Sequence, residues 1–182
     1  MKAQQLDTDS DRGPKQPSRS KRNTVIVDMD GTLADVSHRI HHLEGKKKNW
    51  KSFFAHMHKD PPNREILDMV LRLARDHQIV IVSGRPEHYQ QVTEDWLKLY
   101  DVPYEEIHMR PSGDHRPDHI VKREILDRLL ATGKTINLVI DDRPTVCDMW
   151  RSCGLKVHQV HSDFWEREQR ERSRGPEGDA IS

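Results

Sequence analysis

Three runs of apolar, largely β-branched residues, Val25-Ile26-Val27, Ile79-Val80-Ile81-Val82 and Ile136 to Ile140, each stop abruptly in polar groups. Asp28-Met29-Asp30-Gly31 follows the first, Ser83-Gly84-Arg85-Pro86 the second and Asp141-Asp142-Arg143-Pro144 the third. Apolar runs of this length suit strands covered on both faces, which is how strands sit in parallel sheets. The carboxyl ends of parallel strands share one edge, and ligands bind there. The three polar endings therefore predict a single crevice. Two shorter strands, at Ile107-His108-Met109 and near Leu155 to Val160, complete the expected set.

Between the runs the apolar spacing is helical. Ile66, Met69, Val70, Leu73 and Ala74 predict a helix over 64–76, with Asn63 as its cap after Pro61-Pro62. Further helices are expected through Tyr89, Val92, Trp96 and Leu99, through Val121, Ile125 and Leu129, and through Val146, Met149 and Trp150. Strands alternating with helices give an α/β fold, a Rossmann-like, doubly wound parallel sheet. Residues 35–62 carry Ile40, Leu43, Trp50, Phe53, Phe54 and Met57 among His and Lys residues, which fits a small helical cap or flap inserted after the first strand.

A chain of 182 residues is long enough for one such domain with tails. Residues 1–22 are polar, without periodicity, and read as a disordered tail; 23–164 read as the domain; 165–182 are almost wholly charged and read as a solvated helix or tail. The net charge is zero, so no global pull toward nucleic acid exists, although Lys46-Lys47-Lys48 is locally basic. No apolar stretch has the length of a membrane span or the form of a signal peptide, so no membrane role and a cytoplasmic location are expected. The two cysteines, Cys147 and Cys153, make no zinc site and are expected to be reduced.

The chemistry sits at the strand ends. Alternation along an extended chain aims Asp28 and Asp30 into the crevice and Met29 away from it, while Gly31 permits a tight turn and close approach. Paired carboxylates repel each other, which calls for a raised pKa or a neighbouring cation, and Mg²⁺ is suited to one or two carboxylates, waters and a phosphate. A calcium loop of EF-hand type would need Glu at its twelfth position, which is Arg39 here. Asp28, Asp30, Ser83, Lys122, Asp141 and Asp142 should converge, and four carboxylates with a hydroxyl and an ammonium suit phosphoryl transfer.

The order D-x-D-G-T, S-G-R, K and D-D resembles the haloacid dehalogenase (HAD) superfamily of phosphatases. Within it, Ser83-Gly84-Arg85, Gly113 to Asp118 with Lys122, Ile140-Asp141-Asp142-Arg143, and Arg39 nine residues past Asp30 look like the 3′-phosphatase domains of bacteriophage polynucleotide kinases. The resemblance implies the HAD fold and a Mg²⁺-dependent phosphomonoesterase acting on polynucleotide 3′ ends, DNA or RNA, in end repair. It also implies roles. Asp28 would be nucleophile and metal ligand, and Asp30 the general acid and then base, in a catalytic set with Lys122. The metal would be held by Asp28, the Met29 carbonyl, Asp30, Asp141 and Asp142. Thr32, Arg39, Ser83, Gly84, Arg85, Asp118 and Arg143 would bind phosphate or shape the substrate side, although Arg143 could instead pair with Asp142. No kinase half precedes the domain in this sequence, a departure from that family's pattern, and a separate kinase or ligase is a candidate partner whose existence the sequence leaves open. Two other readings stay open: a nucleotidase or small-metabolite phosphatase, and a silent binding module that keeps the fold.

Other features carry less. Thr132-Gly133-Lys134-Thr135 lacks the earlier glycine of a phosphate-binding loop and leads into a strand. His38, His41, His42, His56 and His58 form no recognised metal spacing. Lys46 to Lys48 is either a solvated loop or a contact for backbone phosphates. Trp50 and Phe53 read as packing of the flap, with base stacking as the alternative.

Overall fold

The computed structural model describes residues 23–44 and 47–173. The tail expected over 1–22, Lys46 and residues 174–182 lie outside them. Five strands form one sheet: β1 (Thr24–Val27), β2 (Gln78–Pro86), β3 (Glu106–Arg110), β4 (Ile136–Asp141) and β5 (Val157–Gln159), in the order β3-β2-β1-β4-β5. Every neighbouring pair is parallel. β1 lies at the centre, and all four of its residues are buried.

The β-branched runs form strands because both of their faces are covered. Val25, Val27, Ile79 and Ile81 pack with Ile66, Leu67 and Val70 of α2 (Arg64–Leu73) and with Trp96 and Leu97 of α3 (Gln90–Leu99). Their alternates Ile26, Val80 and Val82 pack with Val121, Ile125 and Leu129 of α4 (Asp118–Ala131) and with Val146 and Trp150 of α5 (Pro144–Ser152). The sheet is therefore wound on both sides. The chain first extends it from β1 toward β3, then returns to place β4 on the other side of β1, so the winding reverses between β1 and β4. Asp28 N–H donates to the Ile140 carbonyl at 3.0 Å across that reversal point, where open α/β sheets bind ligands.

The insertion closes at its base. Ala34 bridges Pro62, Asp35 N–H donates to Pro61 O at 2.8 Å, and Asn63 N–H donates to Leu33 O at 2.8 Å. Between these ends lie a 3₁₀ turn over Ser37–Leu43, α1 (Trp50–Ala55) and a second 3₁₀ turn over Met57–Lys59. Asn49 caps α1, its side chain accepting from Ser52 N–H at 3.0 Å. Asn63 occupies the expected cap position of α2, but its side chain makes no cap bond.

The folded chain continues past 164. The final helix α6 (Asp163–Ser173) begins with Phe164 and Trp165, and Trp165 is buried against Val36, Leu43 and Phe53 of the flap. Lys48 pairs with Glu168, and Arg167 with Glu44 at 3.0 Å. This differs from the expected charged tail because two aromatic residues at the start of the helix provide an anchor that the charged remainder conceals.

Candidate active site

At the carboxyl ends of β1 and β4 three carboxylates converge. Asp28, Asp141 and Asp142 are all buried, and one oxygen from each lies within 4.8 Å of the others. Lys122, on the first turns of α4, reaches into them. Its Nζ lies 2.8 Å from Asp28 Oδ1, 2.8 Å from Asp141 Oδ2 and 3.7 Å from Asp118 Oδ2. Asp141 Oδ2 also accepts from Trp150 Nε1–H at 3.2 Å, and Asp141 Oδ1 from the Arg143 N–H at 3.2 Å. Asp142 differs from it, since its Oδ2 is buried with no hydrogen-bond partner among the described residues.

One ammonium does not balance this charge. Burial pushes the Asp28 carboxyl up to about 7, with Asp141 and Asp118 adding to the rise and Lys122 opposing it. Burial, with Asp28 and Asp141 close by, also raises the Asp142 carboxyl well above its ordinary value. Lys122 is itself buried, which alone would lower its pKa, but the surrounding aspartates raise it well above the usual lysine range. It is a permanent cation.

Asp30 belongs to a second, separate network. Arg85 Nη2 lies 2.6 Å from Asp30 Oδ1 with Nε at 3.0 Å, and Arg39 Nη2 lies 2.6 Å from the same oxygen. Burial favours the neutral acid, yet Arg85 and Arg39 outweigh it and hold the Asp30 carboxyl well below the usual range. Both arginines are wholly buried and also bind Asp60. Asp60 accepts from Arg39 Nε at 2.7 Å and from Arg85 Nη2 at 3.3 Å. Trp96 Nε1–H donates to the Asp60 carbonyl at 2.8 Å and fixes it from behind.

The structure thus divides the predicted residues. Asp28, Lys122, Asp141 and Asp142 come together. Asp28 and Asp30 do line the same cavity, with Met29 packed away in the core. The expected five-member metal set is not assembled, for two reasons. The Asp30 carboxylate is taken up by two guanidinium groups, and the Met29 carbonyl accepts from Thr32 N–H at 3.2 Å and Ala34 N–H at 2.9 Å in the turn. Arg39 and Arg85, expected on the substrate side, lie instead behind Asp30. Ser83 is buried, its hydroxyl accepting from Arg85 N–H at 3.2 Å, and Thr32 is buried with its hydroxyl unpartnered among the described residues. Gly84 and Asp118 line the cavity against each other, since a Cβ on Gly84 would meet Asp118 Oδ1 at 2.6 Å. Arg143 lies 3.4 Å from Asp118 Oδ2 rather than on Asp142, and stacks 4.0 Å from the Trp165 ring.

Asp60, Arg110 and Trp165 were not legible as site residues. Asp60 precedes Pro61-Pro62 and resembles any turn acid. The only available signal was the surplus of cations, Arg39 and Arg85, over carboxylates near Asp30. Arg110 donates to Gly84 O at 3.1 Å and to Asp118 Oδ1 at 2.9 Å, so it orders the loop before α4.

Residues 22–164 match the family described as the polynucleotide kinase PNKP phosphatase domain. The chain belongs to that family. A protein of Autographa californica nuclear polyhedrosis virus, described as a bifunctional polynucleotide kinase/RNA ligase, is 29% identical to it over 146 residues, covering 78% of this chain and 20% of the viral protein. A chain of the Pnkp1/Rnl/Hen1 RNA repair complex superposes with a TM-score of 0.68 at 26% identity, covering 87% of this chain and 49% of that one. A haloacid dehalogenase-like hydrolase of Streptococcus pneumoniae, SP0104, shares the fold at a TM-score of 0.55 and 14% identity, covering 81% of this chain and 91% of that one. This PNKP phosphatase-type chain spans at most about half the length of the first two relatives. Among the described residues no helix is long and apolar enough to cross a membrane.

The PNKP-type site fits a hard divalent cation. Three clustered carboxylates supply oxygen donors only, Asp142 Oδ2 has no partner, and burial leaves Asp28 and Asp142 short of compensating charge. Gly31 makes this approach possible. Its φ is +84°, and a Cβ there would lie 2.1 Å from Asp142 Oδ2.

Proposed function

We propose that this chain is a Mg²⁺-dependent phosphomonoesterase that removes 3′-phosphates from polynucleotide ends through an aspartyl-phosphate on Asp28. The observation that carries the reading is the separation of two carboxylates on one turn. Asp28 is held by an ammonium among metal-type ligands and Asp30 by two guanidinium groups, while both line the same cavity. Two carboxylates with environments this different are suited to two roles.

Asp28 Oδ attacks phosphorus, and the bond from phosphorus to the 3′ oxygen breaks. Lys122 holds Asp28 in place and offsets charge on the phosphoryl group. The leaving oxygen takes a proton from Asp30. In the free site Asp30 is ionised, and the negative charge of an arriving phosphate raises its proton affinity, so it gains the proton with the substrate. A water then attacks the aspartyl-phosphate and gives a proton back to Asp30. The bond from phosphorus to Asp28 breaks, and inorganic phosphate leaves with the carboxylate restored. Arg39 and Arg85 keep Asp30 ionised for that second step. Asp28, Asp141 and Asp142 would hold Mg²⁺, which supplies charge neutralisation at the phosphoryl oxygens.

Polynucleotide substrates are supported by membership of the PNKP phosphatase domain family and by a cavity whose lining includes Lys51, with Arg116 and Arg143 also present but paired to Asp114 and Glu124 and to Asp118. Lys48 pairs with Glu168, so this lysine contributes less there than its charge suggested. The relatives' descriptions as kinase, ligase and RNA repair proteins support a role beside a kinase or ligase in nucleic-acid end repair. The test is turnover with Mg²⁺ of a 3′-phosphorylated oligonucleotide beside nucleoside 3′- and 5′-monophosphates. The oligonucleotide is expected to have the highest kcat/KM, with an advantage that shrinks as salt rises. A mononucleotide that is the better substrate at every salt concentration would replace this reading with a nucleotidase.

A further inference from the structure

The cavity above Asp28 and Asp142, of about 550 Å³, has one wall built from the flap and the turn after β2. Five of the ten Phe, Tyr and Trp residues of the chain line it. Trp50 and Phe54 lie nearly parallel, with ring centroids 5.9 Å apart and planes at 25°, and Phe54 and Tyr89 continue the row at 5.4 Å. Phe53 is buried beneath, edge-on to both Trp50 and Phe54, with the Arg39 guanidinium 4.0 Å from its ring. Trp50 is not consumed by this packing and remains 40% exposed. Phosphoryl chemistry uses none of these rings. A sugar phosphate has no π-face to present to them.

We propose that Trp50, Phe54 and Tyr89 form a stacking platform for the base of the terminal nucleotide, whose phosphate reaches Asp28. The proposal rests on the polynucleotide phosphatase reading and adds to it what is recognised besides phosphate. A nucleobase is the planar, π-faced group carried on the same molecule as a 3′-phosphate, and stacking accepts any base, purines gaining most because they overlap more ring surface. The platform is also braced to the chemistry. Arg39 lies over Phe53, donates to its carbonyl at 3.2 Å and binds Asp30, so a base seated on the rings presses on the element that holds Asp30.

The experiment uses the full chain with Mg²⁺ and two 3′-phosphorylated oligonucleotides of one sequence, ending either in adenine or in an abasic tetrahydrofuran residue. Wild type, Trp50→Ala and Trp50→Phe are compared, with thermal melts confirming that each variant is folded. Removing the base should cost wild type about 5- to 150-fold in kcat/KM, mainly through KM, the range expected for one base–aromatic stack. Trp50→Ala should cost the adenine end more than the abasic end by a similar factor, and Trp50→Phe should restore most of the loss. If Trp50→Ala lowers both substrates equally, or if wild type does not distinguish the two ends, the stacking platform is wrong while the phosphatase reading stands. If wild type hydrolyses neither 3′-phosphate, both are wrong.

Discussion

Asp30 shows how neighbours, more than identity, assign a residue its work. It is two positions from Asp28 and chemically the same, yet its partners are two buried arginines and those of Asp28 are a lysine and two acids. In the proposed role of proton carrier, Asp30 should matter most when the leaving oxygen is a poor one. Asp30→Asn is therefore expected to lose roughly 10² to 10⁴-fold on an alkyl phosphate and far less on an aryl phosphate with a very good leaving group, measured as kcat/KM. An equal loss on both would remove Asp30 from that role. Asp60 acts through others, holding Arg39 and Arg85 while touching no cavity group. Asp60→Asn leaves two buried guanidinium groups without part of their charge balance and should cost about 3–5 kcal/mol in urea unfolding. It should also lower activity on the alkyl phosphate more than on the aryl one, a bias that general destabilisation would not produce. The strand-end acids were legible because alternation and strand termination fix their direction from local sequence alone. The targets of Arg39 and Arg85 were not. A guanidinium serves a phosphate or a carboxylate equally well, and Asp60 is a long-range partner separated from Asp30 by the whole flap.

At the scale of elements, β1 and its turn were readable because β-branched runs and a glycine constrain the backbone directly. The turn depends on Gly31, whose φ of +84° and contact with Asp142 exclude a side chain. Gly31→Ala should weaken Mg²⁺ binding by displacing Asp142, and it should also lower the melting temperature without Mg²⁺, because alanine is strained at this φ. Isothermal titration of Mg²⁺ checks it, and unchanged affinity would show that Asp142 is not held against the turn. The last helix was less legible. Its composition is that of a solvated segment, and only Phe164 and Trp165 betray an anchor, because a pair of apolar residues is too short to show periodicity. Trp165 fills the flap core and lies under Arg143. Trp165→Ala should destabilise by about 3 kcal/mol in urea unfolding, the order expected for emptying a large aromatic site. A change below about 0.5 kcal/mol, the size usual for surface positions, would mean that α6 does not brace the flap.

Across the whole molecule, parallel topology brings together groups that are more than a hundred residues apart in sequence. Asp28 and Asp142 meet because β1 and β4 are neighbours at the point where the winding of the sheet reverses. The doubly wound fold was readable from the alternation of runs, and so was the meeting of Asp28, Lys122, Asp141 and Asp142, whereas Ser83 and Asp30 take other partners. The division of the site into a metal-type cluster and an arginine-held acid was not, since it depends on which cation reaches which oxygen. Transfer of the phosphoryl group from a polynucleotide 3′ end to Asp28 is tested by rapid acid quench of a single turnover with Mg²⁺ and an oligonucleotide bearing a radiolabelled 3′-phosphate. Label should appear transiently on the protein, in the peptide containing Asp28, before it appears as inorganic phosphate, and Asp28→Asn should form neither product. Release of inorganic phosphate by Asp28→Asn within tenfold of the wild-type rate would contradict the account.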